Sequence, residues 1–329
     1  MNVLTFGEML LRLTTDPAVR LQQTNQFDFY YGGAEANVAV SLANLGIESK
    51  YVTKVPNNQI GQACARYLQS NRVDATSVLY GGDRLGIYFV EAGIGNRSSE
   101  VVYDRKFSSF ANLQVTEIDW DRLLEDVDLF HTTGITLALS EELRHITKEA
   151  MQVARSKGVK ISFDFNYRSK LWSQEEASVA IQDVLPFVDI AFCNDMDAKY
   201  LLNIGEQADL ASYYTQIQYR YPNIELFAST TRKVGTASHH SLQGNLFMKG
   251  FLEKSAQFTI NPVIDRIGGG DAYAAGILYG YLHNWSEEKM ASFAIANAVL
   301  KHTIRGDGNI FSAEEVESYR VSSNKEISR

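Results

Sequence analysis

The strongest constraint on the fold is a hydrophobic period that keeps changing along the chain. Short, nearly continuous apolar runs alternate with segments whose apolar residues recur at helical spacing. Val3 to Phe6 is one such run and Lys50 to Val55 another; between them Ala36, Val38, Ala39, Val40, Leu42, Ala43 and Leu45 form a helical face that Gly46 can stop. After Asn112 the alternation resumes with Leu129–Gly134, a helix from about Ser140 to Lys157, and the run Lys160–Asp164. Further strands are expected at Asp189–Cys193 and Glu225–Ser229, each preceded by helical stretches. Strand and helix in alternation imply an α/β domain with a doubly wound, mainly parallel sheet. Its ligands are then expected at the carboxyl ends of the strands.

Two regions break the rhythm. Phe27–Tyr31 is an aromatic strand closed by Gly32-Gly33, and Gly86–Glu91 pairs with Glu100–Arg105 across the glycine- and serine-rich Gly93–Ser99. The segment between Gly7 and Gln26 reads as polar and irregular. Together these predict a small β-sheet lid, inserted at about 12–32 and 84–108, on a single domain spanning 1–320, with a polar tail at 321–329.

A net charge of −8 excludes a general nucleic-acid binder and disfavours association with anionic membranes, so an anionic substrate would need a local basic pocket. Cys64 and Cys193, the two cysteines, fit neither a disulfide framework nor a zinc site. The first residues lack a basic signal region and no apolar run is long enough to span a bilayer, so a cytoplasmic protein is expected.

The chemistry concentrates where strands end. Gly268-Gly269-Gly270 lets successive N–H groups turn toward one anion, and Asp271 follows at the start of a helix whose small residues Ala272, Gly276 and Gly280 recur every four positions. Asp271 is therefore a candidate base for a substrate hydroxyl, or else a helix cap. Gly32-Gly33 opens a helix with Asn37 in its first turn, suited to a hydroxylated ligand or simply a turn. Arg105 and Arg168, each at the end of a strand, suit a carboxylate or phosphate if both face one cleft, and are surface ion-pair formers if they do not. Asn194 and Asp197 can hold waters around Mg²⁺ or cap the helix that they open. The chain has no Walker sequence, and the triple glycine lacks the Gly-x-Gly-x-x-Gly register of a dinucleotide fold.

Two of these motifs in order, Gly32-Gly33-Ala34-Glu35-Ala36-Asn37 and Asp265 to Asp271, resemble the amino- and carboxyl-terminal signatures of the ribokinase-like (PfkB) carbohydrate kinases. The likeness runs from about Val3 to Phe311. Within that family Gly33 to Asn37, Tyr88, Tyr103 and Arg105, and Asp164 to Arg168 are most similar to the 2-keto-3-deoxygluconate kinases. The resemblance implies a three-layer α/β/α fold with a mainly parallel central sheet and a small β lid, often a dimer interface, which would make a homodimer or higher oligomer.

It further implies ATP and Mg²⁺, with Asp271 as base and the N–H groups of Gly268, Gly269 and Gly270 as the anion hole. Gly33, Asn37, Tyr88, Tyr103, Arg105 and Arg168 would hold the sugar acid, the arginines facing its carboxylate. Asn194, Thr231, Arg232, Gly235 and Asn297 would meet the nucleotide, Asn297 beside the adenine or, equally, in an internal hydrogen bond. Asn194 and Asp197 would reach the metal through water. Gly269 and Asp197 replace the family's usual alanine and glutamate, and Ser229–Gly235 stands where many relatives have a lysine- and glycine-rich nucleotide turn. A monovalent cation near Asp265 and Thr303–Gly308, present in some relatives, stays open. So do other readings: a kinase of 2-ketogluconate, fructose or another ketohexose, a dehydrogenase, or a non-catalytic sugar sensor.

Overall fold

The computed structural model describes residues 1–321. Its large sheet runs, in spatial order, β13 (Phe251–Lys254), β12 (His239–Met248), β11 (Leu226–Thr236), β10 (Ile190–Phe192), β9 (Lys160–Asp164), β8 (Leu129–Thr133), β1 (Asn2–Phe6), β4 (Glu48–Val55) and β5 (Val78–Tyr80), with β14 (Phe258–Ile260) also on β12. From β11 to β5 every pairing is parallel, and the hairpin of β11 and β12 adds an antiparallel edge.

Adjacent apolar residues along these strands explain the layering. Val3, Leu129, Ile190 and Leu226 face one cluster with the helices Ala34–Asn44, Gly269–Leu282 and Glu287–Lys301. Leu4, Phe130, Ala191 and Phe227, each one residue further on, face the opposite cluster with Glu141–Ser156, Gln174–Val184 and Leu210–Arg220. Side chains alternate across a strand, so an unbroken apolar run requires helices on both faces. The four-residue spacing of small residues also acquires a partner. A Cβ on Gly276 would come within 2.6 Å of the Ala294 backbone, so that helix packs tightly on Glu287–Lys301.

The small sheet has the order β3 (Asp28–Gly32), β2 (Leu10–Thr14), β6 (Gly86–Glu91), β7 (Glu100–Asp104). β2 falls in the stretch expected to be irregular. Leu-Leu-Arg-Leu-Thr conceals its alternation because Arg12 points inward, 2% exposed, and is paired there with Asp265 and Asp307. Arg12 sits opposite Tyr88 and Tyr88 opposite Tyr103, so the inner face carries Leu10, Arg12, Tyr88 and Tyr103 in one patch. The polar tail expected at 321–329 lies, beyond Val321, outside the described residues.

Candidate active site

The two glycine motifs, separated by 234 residues, meet through one hydrogen bond. Asn37 Nδ2 donates to Asp271 Oδ2 at 2.7 Å. Gly33 caps its helix with φ +153°, and a Cβ there would collide with the carbonyl oxygen of Glu8, so only glycine lets this helix start so close to the end of β1. Gly268 caps the other helix at φ +81° and places Gly269, Gly270 and Asp271 in its first turn. Asp271 thus sits at a helix N-terminus, where free N–H groups favour negative charge.

A cavity of about 500 Å³ opens between the inner face of the lid and the strand ends. Gly33, Asn37, Tyr88, Tyr103, Arg105 and Arg168 all line it, as do Gly268, Gly270 and Asp271. A second cavity of about 390 Å³ lies beside it, lined by Asn194, Asp197, Thr230 and Tyr273 among others. Asp164, Asn166, Arg168, Arg232 and Gly270 border both. Gly270 therefore stands where contents of the two cavities would touch, with Asp271 next to it on the wall of the first.

The turn that delivers Arg168 to this boundary is local in origin. Asp164 ends β9, and its Oδ1 accepts from Asn166 N at 3.0 Å, an Asx turn that lets Asn166 take φ +40° and reverse the chain. Charge at the boundary is crowded. Burial, reinforced by Asp271, pushes the Asp164 carboxyl up to about 8, with Arg168 opposing. Burial likewise pushes Asp271 up to about 7 against the Asn37 hydrogen bond and Arg168, and Asp197 up to about 6. Such a cluster favours a bound cation, a proton or both.

Residues 1–313 match the pfkB family carbohydrate kinases. The chain belongs to the PfkB family. It is 31% identical over 317 residues to the 2-dehydro-3-deoxygalactonokinase of Haloferax volcanii, covering 96% of this chain and 95% of that one. Among solved structures, a PfkB family carbohydrate kinase from Listeria grayi superposes with TM-score 0.95 at 42% identity, covering 98% of this chain and 100% of that one. The 2-dehydro-3-deoxygluconokinase of Thermotoga maritima superposes with TM-score 0.95 at 38% identity, with 98% of each chain covered. The fold of this PfkB kinase is thus the ribokinase-like one, a mainly parallel sheet between helices with a four-stranded lid.

Several residues singled out in the sequence lie elsewhere in this PfkB kinase. Gly269 does not line the cavity: its N–H donates to Arg266 O at 3.3 Å and the His302 ring closes over its Cα, leaving Gly268 and Gly270 to face the opening. The stretch expected as a nucleotide turn is the continuation of β11, so side chains alternate. Thr230 and Arg232 face the second cavity, while Thr231 accepts from Asn245 Nδ2 at 3.0 Å. Gly235 lies near the end of that hairpin, against His239 and away from both cavities. Asn297 is fully buried; its amide donates to Ala272 O at 2.7 Å and Ser41 Oγ at 3.2 Å, and its oxygen accepts from Asn309, so it presents nothing to an adenine.

Asn194 and Asp197 cap their helix reciprocally. Asn194 Oδ1 accepts from the N–H groups of Met196 and Asp197, and Asp197 Oδ2 accepts from Asn194 N at 2.9 Å. Asn194 Nδ2 and Asp197 Oδ1 remain for the cavity. Arg105 is also committed, its Nε and Nη2 donating to buried Glu8 Oε2. Glu8, Asp164, Asp307 and Arg266 were not singled out as site residues in the sequence. Asp164 had a signal in its place at a strand end four residues before Arg168, whereas Glu8 and Asp307 carry none outside the contacts of the folded chain.

Proposed function

We propose that this kinase transfers the γ-phosphoryl group of ATP to the 6-hydroxyl of 2-keto-3-deoxygluconate, the 2-dehydro-3-deoxy sugar acid. The observation that carries the reading is the convergence on one cavity of Asp271, two glycine backbones and the unpaired guanidinium of Arg168. Arg168 donates only to the neighbouring Tyr167 carbonyl, at 3.1 Å, among the described residues. An arginine fork left without a carboxylate in a sugar-sized cavity suits an acid better than a neutral sugar. The names of the Haloferax and Thermotoga relatives support the same class.

In this mechanism Asn37 orients Asp271, and the Asp271 carboxylate takes the proton from the attacking hydroxyl. Asn37 Oδ1, buried and without a partner among the described residues, is available to a sugar hydroxyl. The N–H groups of Gly268 and Gly270 stabilise the charge of the transferring group, and Arg168 and Arg232, which border both cavities, add positive charge there. PfkB kinases use ATP with Mg²⁺. Among the described residues no three side chains group closely enough to hold a metal directly, but Asp164, Asp197 and Asn194 suit an ion that retains its waters. Such an ion would relieve the crowding of carboxylates and supply positive charge to the phosphates. Tyr88 and Tyr103 cover the sugar from the lid and exclude water.

The C4 epimer, 2-keto-3-deoxygalactonate, is the second reading, favoured by the Haloferax relative. The test is ADP release with Mg-ATP and both epimers, 2-ketogluconate, fructose and ribose, for the wild type and Asp271→Asn. Preference for a 3-deoxy acid, with kcat reduced roughly 10³-fold in the variant, is expected. Preference for fructose or ribose would overturn the assignment of Arg168 to a carboxylate.

A further inference from the structure

The family resemblance leaves open a monovalent cation near Asp265 and the Thr303–Gly308 segment. The carboxylates there are engaged within the chain. Asp265 Oδ1 accepts from Ile267 N at 3.1 Å, and Oδ2 from Gly306 N at 3.1 Å and from Arg12 Nη2. Asp307 Oδ1 accepts from Arg12 Nη1 at 2.7 Å, and Oδ2 from the Tyr88 hydroxyl. Every carboxylate oxygen of the pair thus already accepts at least one hydrogen bond, and Arg12 bonds to both residues.

Behind them lies a charge with no assigned task. Lys301, the last residue of the helix Glu287–Lys301, is 0% exposed, and its Nζ has no hydrogen-bond partner among the described residues. Its stem rests against the back of the glycine turn, since a Cβ on Gly268 would come 3.3 Å from Lys301 Cε. The charged groups around it are Asp265, Asp307, Asp271 and Arg12. Arg12 and Lys301 balance Asp265 and Asp307 without any added ion. Burial, with Arg12, lowers the Lys301 pKa, and the carboxylates of Asp265, Asp307 and Asp271 oppose that.

A buried ammonium without an acceptor costs several kcal/mol relative to water, which a core methionine would avoid. A cation at this depth has one direction in which its field is useful. Its stem touches Gly268, whose turn lines the cavity, and a positive charge held at low dielectric beside that turn reinforces the pull of its N–H groups on an incoming phosphoryl group. We propose that Lys301 is a positioning residue, a built-in cation that holds and polarises the Gly268–Gly270 turn so that this kinase needs no monovalent ion. The kinetic part of the inference rests on the kinase reading above; the binding part does not.

The test compares wild type, Lys301→Ala and Lys301→Met in potassium, ammonium, sodium or tetramethylammonium chloride at one ionic strength. Wild-type ADP release and melting temperature are expected to be the same in all four. Lys301→Ala, which opens space for an ion, is expected to lose roughly tenfold or more in kcat with little change in sugar KM. Potassium or ammonium, but not tetramethylammonium, is expected to restore much of that loss and to raise the variant's melting temperature. Lys301→Met keeps the bulk without the charge, and is expected to lose activity without ionic rescue. A lysine that only complemented the C-terminal dipole of its helix would lower stability in both variants without kcat loss or ion-specific rescue, and that result would overturn the proposal. So would wild-type activity or melting that rises several-fold or by several degrees in potassium. If no sugar supports ADP release by the wild type, the kinase reading fails, and the melting temperatures in the four salts still decide the role of Lys301. If Lys301→Ala does not fold, the wild-type salt series and Lys301→Met decide it.

Discussion

Removing Arg105 is expected to damage the fold before it damages sugar binding. Its guanidinium and the Glu8 carboxylate are both buried, with side chains 5% and 1% exposed, and they form a pair through a single oxygen, Glu8 Oε2. Among the described residues Glu8 Oε1 has no hydrogen-bond partner, so no other hydrogen bond compensates this carboxylate if Arg105 is lost. Breaking a buried pair by removing one member costs about 3–5 kcal/mol, because the other charge is left in a poor solvent. At roughly 2 °C per kcal/mol for a chain of this size, Arg105→Met should melt about 6–10 °C below wild type. Adding Glu8→Leu removes the orphaned charge and should recover about half of that loss or more; since Glu8→Leu alone strands Arg105 at a similar cost, the double-mutant cycle should show a coupling of about 5 kcal/mol or more. Urea unfolding of the four proteins without ligand measures it. Arg168→Met, from an exposed position, should melt with wild type yet raise the KM for the sugar acid by roughly tenfold or more. An Arg105→Met protein as stable as wild type, with no recovery in the double variant, would refute the reasoning: Arg105 would then be a substrate ligand and not a clamp between lid and sheet.

Three further outcomes follow from the same geometry. With the Asp271 carboxyl raised to about 7 by burial, kcat/KM should climb with pH through about 7 and level off above it, and Asp271→Asn should lack that limb in a pH–rate profile. Asp164 and Asp271, at about 8 and about 7, lie far above their unfolded value of 3.8, so the folded state binds more protons between those limits. The ligand-free protein should accordingly gain stability as pH falls from 8 to 6, read as a rising urea midpoint. Gly268→Ala places a methyl against the Asp307 carbonyl at φ +81° and should cost about 2 kcal/mol or more, whereas Gly270→Ala meets nothing within 4 Å and should melt as wild type while losing turnover.

What the sequence disclosed, and what it concealed, follows from how far each signal travels along the chain. Alternating period and both glycine motifs are local properties, so the parallel sheet, the three lid strands rich in aromatic and β-branched residues and the positions of Asp271 and Asn37 were readable. Arg168 was readable because it follows its strand within a few residues. The fate of Arg105 was not, because its partner Glu8 lies 97 residues away and an arginine in sequence does not show whether its charge is already answered. Asn297 presents the same ambiguity: an amide inside an apolar helix indicates a buried hydrogen bond or a ligand, and only the placement of Ala272, Ser41 and Asn309 around it decides. The segment after Ser229 is set against a nucleotide turn only because it stands where many relatives have one, and its polar Thr-Thr-Arg-Lys-Val-Gly composition does not decide between turn and strand. An antiparallel edge hairpin with solvent on both sides has the same composition.

The hidden strand β2 shows why the lid and the glycine turn behave as one unit. Its period of two places Leu10, which faces the sugar cavity, on the same side as Arg12, which faces Asp265 and Asp307. Tyr88, opposite Arg12, lines the cavity with its ring and donates its hydroxyl to Asp307. Asp265 and Asp307 belong to the segments that lead into the Gly269–Leu282 helix and out of the Glu287–Lys301 helix, and the Gly268 backbone packs on the Asp307 carbonyl. A slip of one residue in β2 would therefore remove a cavity wall and the Arg12 ion pairs together, leaving two buried carboxylates against the catalytic turn. The register of the lid is fixed by charge at one end and by the cavity wall at the other. On the proposed reading, substitutions that alter the lid's grip on the sugar are constrained to the ring positions of Tyr88 and Tyr103, with Arg12 held constant.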